Sequence, residues 1–491
     1  MIPVSDKWLQ AQREVLVPES HVEIKYFITD PDVTSDMTLV DSGWTADPGY
    51  IWQSRTTGDE NGLFSTPVVI TMLATKVHKN VVPGMTLNWD TKFKEYPIMY
   101  NVAVYRDDKL VANKLVENND SCYNTLQFDF SNFNKIVITV YNWSVRYRQC
   151  RVTEASVGIY VTYTKSDLMS FEHEQTCDIL SGSLPKNAVT FKFDNSDSRW
   201  NPLNKKGLNK YMLERQELSI RYGYDIDGTV EWVDVGNFYL NEWSTPNNGL
   251  EASFTARDLI EFMNDEYVGI KEGTLYEICE AALEQANLPK FKDGGKRYFI
   301  SDALKQFTTI LDDAVYKIKE IVQLCANAGC CIVHQDHTGK IKIEGKSLLY
   351  SYYPVDDLIN YEYPEISISK ELRAIDVNRG LGYYAISNKG EVQTLDNDLI
   401  LTPEHAEVVA SWVGETLNQR NTISGSARLD PRLEVTDMIT VQSKFETVHG
   451  VYVTDVKLTY NGAFRGTYKG RLFEFTAQPA SYVGLPYSGE V

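Results

Sequence analysis

The sequence lacks any apolar run near the roughly 18–20 residues that a membrane-spanning helix requires. The opening "MIPVSDKWLQAQREVLVPES" has neither the basic n-region nor the apolar h-region of a signal peptide. Cysteine is sparse and odd in number: seven residues, at 122, 150, 177, 279, 325, 330 and 331, with no framework spacing. That pattern excludes a disulfide scaffold and predicts buried thiols made in a reducing interior. Basic charge is also short, 48 Lys+Arg against 67 Asp+Glu for a net charge of −19. A protein built chiefly to grip phosphate backbones is therefore not expected. There is no P-loop, G-x-S-x-G, H-E-x-x-H or G-x-G-x-x-G, so no familiar enzyme signature is present and no catalytic residue or cofactor is expected.

What is present is β-forming. Among 491 residues, 43% are hydrophobic and 12% aromatic, and the 30 tyrosines outnumber the 19 phenylalanines. Tyrosine, threonine and valine fit a pleated, half-buried surface. The length implies about three or four domains. Ser5 to Glu14 reads as a short capped helix, followed by the alternating strand "HVEIKYFI" (21–28). Residues 34–164 show short alternating runs and no helical pattern, which predicts an antiparallel β-sandwich with a turn at Arg106–Lys109. Residues 166–260 are again strand-rich, like the staves of a small barrel. Helices are expected at 274–288, where Thr274 and Glu277 form a capping box, at 312–329 ending on Gly329, and at 402–420.

Four stretches invite chemistry. "FKFDNSDSRWNP" (191–202) resembles a calcium loop in composition but lacks the central glycine, and Arg199-Trp200 intrudes among the would-be ligands. Asx-turns ending a strand account for it better. Cys330, Cys331, His334 and His337 are zinc-type residues, yet all four fall within eight positions rather than in two separated pairs. His173 and Cys177 lie close in sequence without a nucleophile elbow. No metal site is expected at any of these. The aromatics Trp44, Trp52, Trp89 and Trp143 of the sandwich are candidate glycan-contact residues, because aromatic faces stack on sugar rings.

The passage "CDILSGSLPKNAVTFKFDNSDSRWNPLNKKGLNKYMLERQELSIRYGY", followed by "VDVGNFYLNEW" and "ASFTARDLIEFM", resembles the tail-hub proteins of bacteriophages. These form the baseplate hub of contractile tails, or the N-terminal structural part of tail-associated lysins and tail-tip proteins. The run "ARLDPRLEVTDMITVQ…VYVTDVKLTYNGAFRGTYKGR" (427–471) resembles the second barrel of the same family, and "VPESHVEIKY" its opening. The order of these stretches along the chain carries the resemblance, and its fold-defining hub motif is Asp194, Asn195, Asp197, Trp200 and Pro202. In it Asp194 to Ser198 would turn the chain, while Trp200 and Pro202 pin the next loop.

The resemblance implies a mainly β fold with a smaller α+β part. Residues 1–33 and 165–265 would form a first hub barrel, 34–164 an inserted, jelly-roll-like sandwich, 266–350 a helical α+β domain and 351–491 a second barrel. It further implies a homotrimer whose six barrels ring a DNA exit channel. That ring would join a six-fold tail tube or distal tail protein to a three-fold tip or spike protein, with the tape-measure protein and DNA passing through the lumen. The implied location is the virion tail, after synthesis in the host bacterial cytoplasm. Because the chain ends at Val491, just after the second barrel, no C-terminal hydrolase is expected. A net acidic ring would let DNA pass without sticking. The alternative is a receptor- or glycan-binding tail protein acting on a host-surface glycan through 34–164.

Overall fold

A computed structural model describes residues 2–14, 18–40, 49–245, 249–289, 291, 295–345, 359–360, 363–442 and 448–473. Among them the protein is mainly β, with a smaller α+β part. The leading helix is Asp6–Arg13. Ser5 caps it, accepting the Trp8 N–H, and Trp8 is fully buried against Tyr224.

One antiparallel sheet of 13 strands organises the chain. Its order is Ile159–Tyr163, Ser20–Ile28, Glu217–Ile226, Thr229–Ser244, Glu251–Arg257, Lys186–Asp194, Leu168–Thr176, Val448–Tyr460, Phe464–Phe473, Asn421–Arg428 and Ile359–Asn360. Glu365–Ile368 also pairs with Asn421–Arg428, and Met438–Gln442 with Val448–Tyr460. The two strand-rich blocks expected from the sequence therefore share one sheet. They are joined where Phe171 lies opposite Tyr460 and Thr176 opposite Asp455. Among the described residues no ring of pairing closes, because Leu168–Thr176 spends its second edge on the C-terminal block.

Period-two alternation orients this sheet. Phe171, His173 and Gln175 are buried, while Glu172 and Glu174 between them point to the other side. Phe191 and Phe193, both buried, stack or tilt against Phe254 of the neighbouring strand. Each such burial contributes about 1.5–3 kcal/mol.

A second hydrophobic cluster, from Val33 to Val157, is separate from the large one. It lies between a five-stranded sheet (Thr38–Val40, Leu63–His78, Phe133–Trp143, Pro97–Arg106, Lys109–Val116) and shorter sheets built on Val82–Asn88 and Trp52–Thr57. The tight turn at Arg106–Lys109 forms as expected, with Asp107 and Asp108 both at positive φ. The strand Ile159–Tyr163, which reads with the sandwich in sequence, instead pairs with Ser20–Ile28. Gly158 permits the crossing: at φ +130° a Cβ there would lie 2.7 Å from the Ile28 carbonyl oxygen.

The expected helices are present with shifted ends. Leu275–Gln285 carries the Thr274/Glu277 capping box, and Pro403–Asn418 is capped by Thr402. The third begins at Ile318 rather than 312, because Asp312 accepts the Ala314 N–H in a turn and Glu320 reaches back to the Lys317 N–H. Its last residue is Ala328, and Cys330 rather than Gly329 adopts the left-handed conformation. No helix among the described residues is long and apolar enough to cross a membrane.

Candidate functional site

The polar stretch at 194–202 is a knot of local hydrogen bonds. Asp194 Oδ1 and Oδ2 accept the Ser196 N–H and Oγ–H, at 2.9 and 3.1 Å. Asp197 accepts the Arg199 N–H at 3.0 Å and its Nε–H at 2.6 Å. Those bonds to Arg199 hold the Asp197 carboxyl below its ordinary pKa, against the opposing effect of burial. Both carboxylates are thus spent within the turn.

Asn195 is the buried anchor. Its Nδ2 donates to the Gly249 carbonyl at 3.0 Å and its Oδ1 accepts the Trp200 N–H at 3.0 Å. Trp200, 1% exposed, seats its ring among Tyr26, Tyr163, Phe193 and Phe254. Pro202 departs from expectation. It is exposed, at the second position of a turn closed by the Asn204 N–H on the Asn201 carbonyl, so its fixed φ shapes that turn and Trp200 alone pins the loop.

The aromatic set requires correction. Trp52, Trp89 and Trp143 are buried in the sandwich core, where they cannot present a face to a sugar. Trp89 Nε1 donates to Asn124 Oδ1, Trp143 Nε1 donates to Glu95, and the two indoles meet edge to face. Trp44 lies outside the described residues. Alternation showed which side of a strand each residue occupies, not which side was covered.

The zinc-type residues diverge. His334 Nε2 bonds Glu344 at 3.0 Å, whereas His337 Nδ1 bonds Glu434 at 2.9 Å. Burial pushes the Cys330 and Cys331 thiols up to about 12. Among the described residues, Glu19, His21 and Asp225 do approach one another within 4.8 Å. The Glu19 carboxylate is already engaged by Lys165, whose charge adds to burial in holding the His21 pKa down.

His173 and Cys177 do not form a pair. The Cys177 thiol turns to the Val333 carbonyl at 3.7 Å. His173 sits in a buried network that sequence reasoning missed. Its Nδ1 bonds Tyr222 Oη at 2.9 Å and its Nε2 bonds Asn187 Oδ1 at 2.8 Å. Gln175 lies 3.2 Å from the same Nε2 and accepts the Val435 N–H at 3.1 Å, tying the two β-blocks together beneath the sheet. Burial lowers the His173 pKa to about 4, so the ring is neutral at pH 7. With both ring nitrogens bonded and the ring neutral, His173 links its strand to two others of the sheet.

The opposite face of the sheet is polar across both blocks. Its charges pair between strands: Arg221 with Glu23 at 2.7 Å, Lys186 with Glu174 at 2.6 Å, Lys192 with Glu251 at 3.1 Å and Lys457 with Glu172 at 2.8 Å. Thr190 and Thr255 face each other among them. At the junction of the blocks this face holds a shallow groove of about 480 Å³ between Glu174, Asp455, Lys457 and Lys469.

No protein-family model matches the chain, and no curated protein matches it. Among solved structures it is similar to the 43 kDa tail protein of prophage MuSo2 from Shewanella oneidensis, at 10% identity and a TM-score of 0.44, covering 63% of this chain and 95% of that one. It is similar to a tail protein from Neisseria meningitidis MC58, at 8% identity and a TM-score of 0.42, over 64% of this chain and 93% of the other. Prophage tail protein gp18 from Listeria monocytogenes EGD-e matches at 11% identity and a TM-score of 0.40, over 63% and 91%.

Proposed function

We propose that this chain is a non-enzymatic structural hub of a phage tail tip or baseplate. In this reading three copies form a ring that joins a six-fold tail tube or distal tail protein to a three-fold tip or spike. The observation that carries the proposal is the single sheet running through both β-blocks with one polar face. A wall of that kind suits a wet lumen. Four of its cations, Lys186, Lys192, Arg221 and Lys457, pair with carboxylates on adjacent strands, which lowers the positive charge that phosphates of passing DNA would meet. The opposite, apolar face supplies the core that holds the wall in shape, and the His173 network ties the blocks together.

The proposed division of the chain places hub blocks at 1–33 with 165–265 and at 351–491. The inserted part, 34–164 in this division, forms the sandwich but lends its last strand, Ile159–Tyr163, to the sheet of the first block, and the helical part 266–350 stands between the blocks. The tape-measure protein and DNA would pass through the ring, and the protein would reside in the virion tail after synthesis in the host bacterial cytoplasm.

Electron microscopy of the purified protein tests this. Three-fold rings with a central channel are expected, and a monodisperse monomer at assembly concentrations refutes the hub. Clearing of bacterial cell walls by the isolated chain would refute the non-enzymatic part.

A further inference from the structure

We infer that one end of the sandwich is a binding site for an anionic polysaccharide, centred on Phe93 and Tyr147 rather than on the tryptophans. Two loops build it. Residues 91–94 read Thr-Lys-Phe-Lys, and 144–151 read Ser-Val-Arg-Tyr-Arg-Gln-Cys-Arg. Neither stretch contains an acidic residue, though the buried Asp90 and Glu95 bound the first, and residues 149–151 of the second already belong to the strand Gln149–Val152.

The aromatic rings are presented, not merely left over. Phe93 is 52% exposed and Tyr147 62% exposed. The residue after Phe93, Lys94, has φ +56°, and Tyr147 itself has φ +57°. Left-handed backbone is uncommon for such side chains and gathers where surrounding structure enforces it for a purpose. The enforcement is visible. Asp90, fully buried, accepts the Phe93 N–H at 3.0 Å, the Tyr50 hydroxyl at 2.9 Å and Arg151 at 2.9 Å. Glu95, also buried, accepts Trp143 Nε1 at 2.9 Å and lies 3.3 Å from Arg148 Nε.

The cations gather on the same ring. Arg148 Cζ, Arg151 Cζ and Lys92 Nζ stand 5.8, 5.7 and 5.7 Å from the Phe93 centroid. Lys94 and Arg146 flank the two rings in sequence and are exposed. The nearest carboxylates, Asp90 and Glu95, are buried beneath the ring and pair with Arg151 and Arg148, so the charge presented outward comes from the exposed Lys94, Arg146 and Arg148.

An exposed ring ringed by guanidinium and ammonium groups matches one ligand chemistry. The apolar C–H face of a sugar stacks on the aromatic surface, while its phosphate or carboxylate meets the planar Arg fork. A stable protein interface needs about 800 Å² on each side, and two rings with Val145 fall short of that. Charge alone would serve any polyanion, so the test must separate stacking from charge.

Binding of the full-length chain to immobilised phosphomannan, polygalacturonate, neutral mannan and polyglutamate is measured by interferometry at low salt. Saturable binding to phosphomannan or polygalacturonate is expected, and the preferred polymer identifies the anionic group. Mannan and polyglutamate should bind about tenfold more weakly or worse, a gap of one decade in affinity. Phe93→Ala, and separately Lys92→Glu with Lys94→Glu, should each weaken sugar binding about tenfold, while Trp89→Phe leaves it unchanged. All of these but Trp89→Phe change exposed side chains, so folding is preserved and checked by circular dichroism. Failure to bind either anionic polysaccharide overturns the inference, as does undiminished binding by Phe93→Ala. Polyglutamate bound as tightly as the sugars would reassign the site to acidic protein surfaces. The assay does not depend on ring formation, so its outcome is separate from that of the hub proposal.

Discussion

Replacing Asn195 by alanine removes two hydrogen bonds, one fastening the 194–200 turn to the Gly249 carbonyl and one closing the turn on the Trp200 N–H. The two partners left behind are not equivalent. The Trp200 N–H belongs to a residue that is 1% exposed, so it is stranded without water and costs about 1–3 kcal/mol. Gly249 is only half-buried, so its carbonyl can be rehydrated and forfeits about 0.5–1.5 kcal/mol. The expected loss is thus about 1.5–4.5 kcal/mol. It should fall locally, because a chain of several packed parts need not open as one unit. Native-state hydrogen exchange on peptides covering Lys186–Asp194 and the following loop is the assay, with strands of the sandwich as an internal control. Asn195→Asp sharpens it: the acceptor for Trp200 survives, but the donor to Gly249 is lost while the carboxylate is charged. Buried beside Asp194 and Asp197, that carboxyl should have a raised folded pKa. The variant's stability is then best at low pH and falls as pH rises through that pKa. A local opening free energy for Asn195→Ala within about 0.5 kcal/mol of wild type would refute the account of Asn195 as the anchor.

Three further outcomes follow from the same geometry. His173 has a folded pKa lowered to about 4, so its contribution is present above the unfolded value of 6.5 and is lost as pH falls from there toward 4, about 3 kcal/mol in all. His173→Gln should abolish that acid-side slope in exchange at Leu168–Thr176; an unchanged slope would assign it elsewhere. The comparison with wild type cancels the buried Asp258, whose pKa of about 7, raised by burial, acts with the opposite sign. Trp89→Ala should destabilise the sandwich by about 3–5 kcal/mol, read as exchange in Val82–Asn88, and a neutral result would contradict its core placement. Thr274→Ala removes half of a capping box and should cost Leu275–Gln285 about 0.5–2 kcal/mol, seen as earlier exchange at that helix's first turn; no change would mean the cap contributes nothing there.

Local features were legible because their causes are local. Thr274 with Glu277 and the Asp107-Asp108 turn each act within a few residues of sequence. The 312–329 helix was overextended because Asp312 can cap a turn as readily as begin a helix, and only the surroundings choose. The tryptophans show the wider limit. An indole in an alternating strand looks alike whether its face meets a core or water, and a second sheet decides which.

By itself the sequence determined the mainly β character, the alternating faces and the local knot at 194–198, since propensity, period and Asx chemistry are properties of short segments. Tertiary structure alone decided that Leu168–Thr176 would pair with Val448–Tyr460, merging two β-blocks into one sheet. It alone placed His173 against Tyr222 and Asn187, and gathered arginines around Phe93. The physical reason is that strand edges present the same backbone donors and acceptors to any partner. Which edge meets which is settled by the packing of distant side chains, and that information is written nowhere along a single strand.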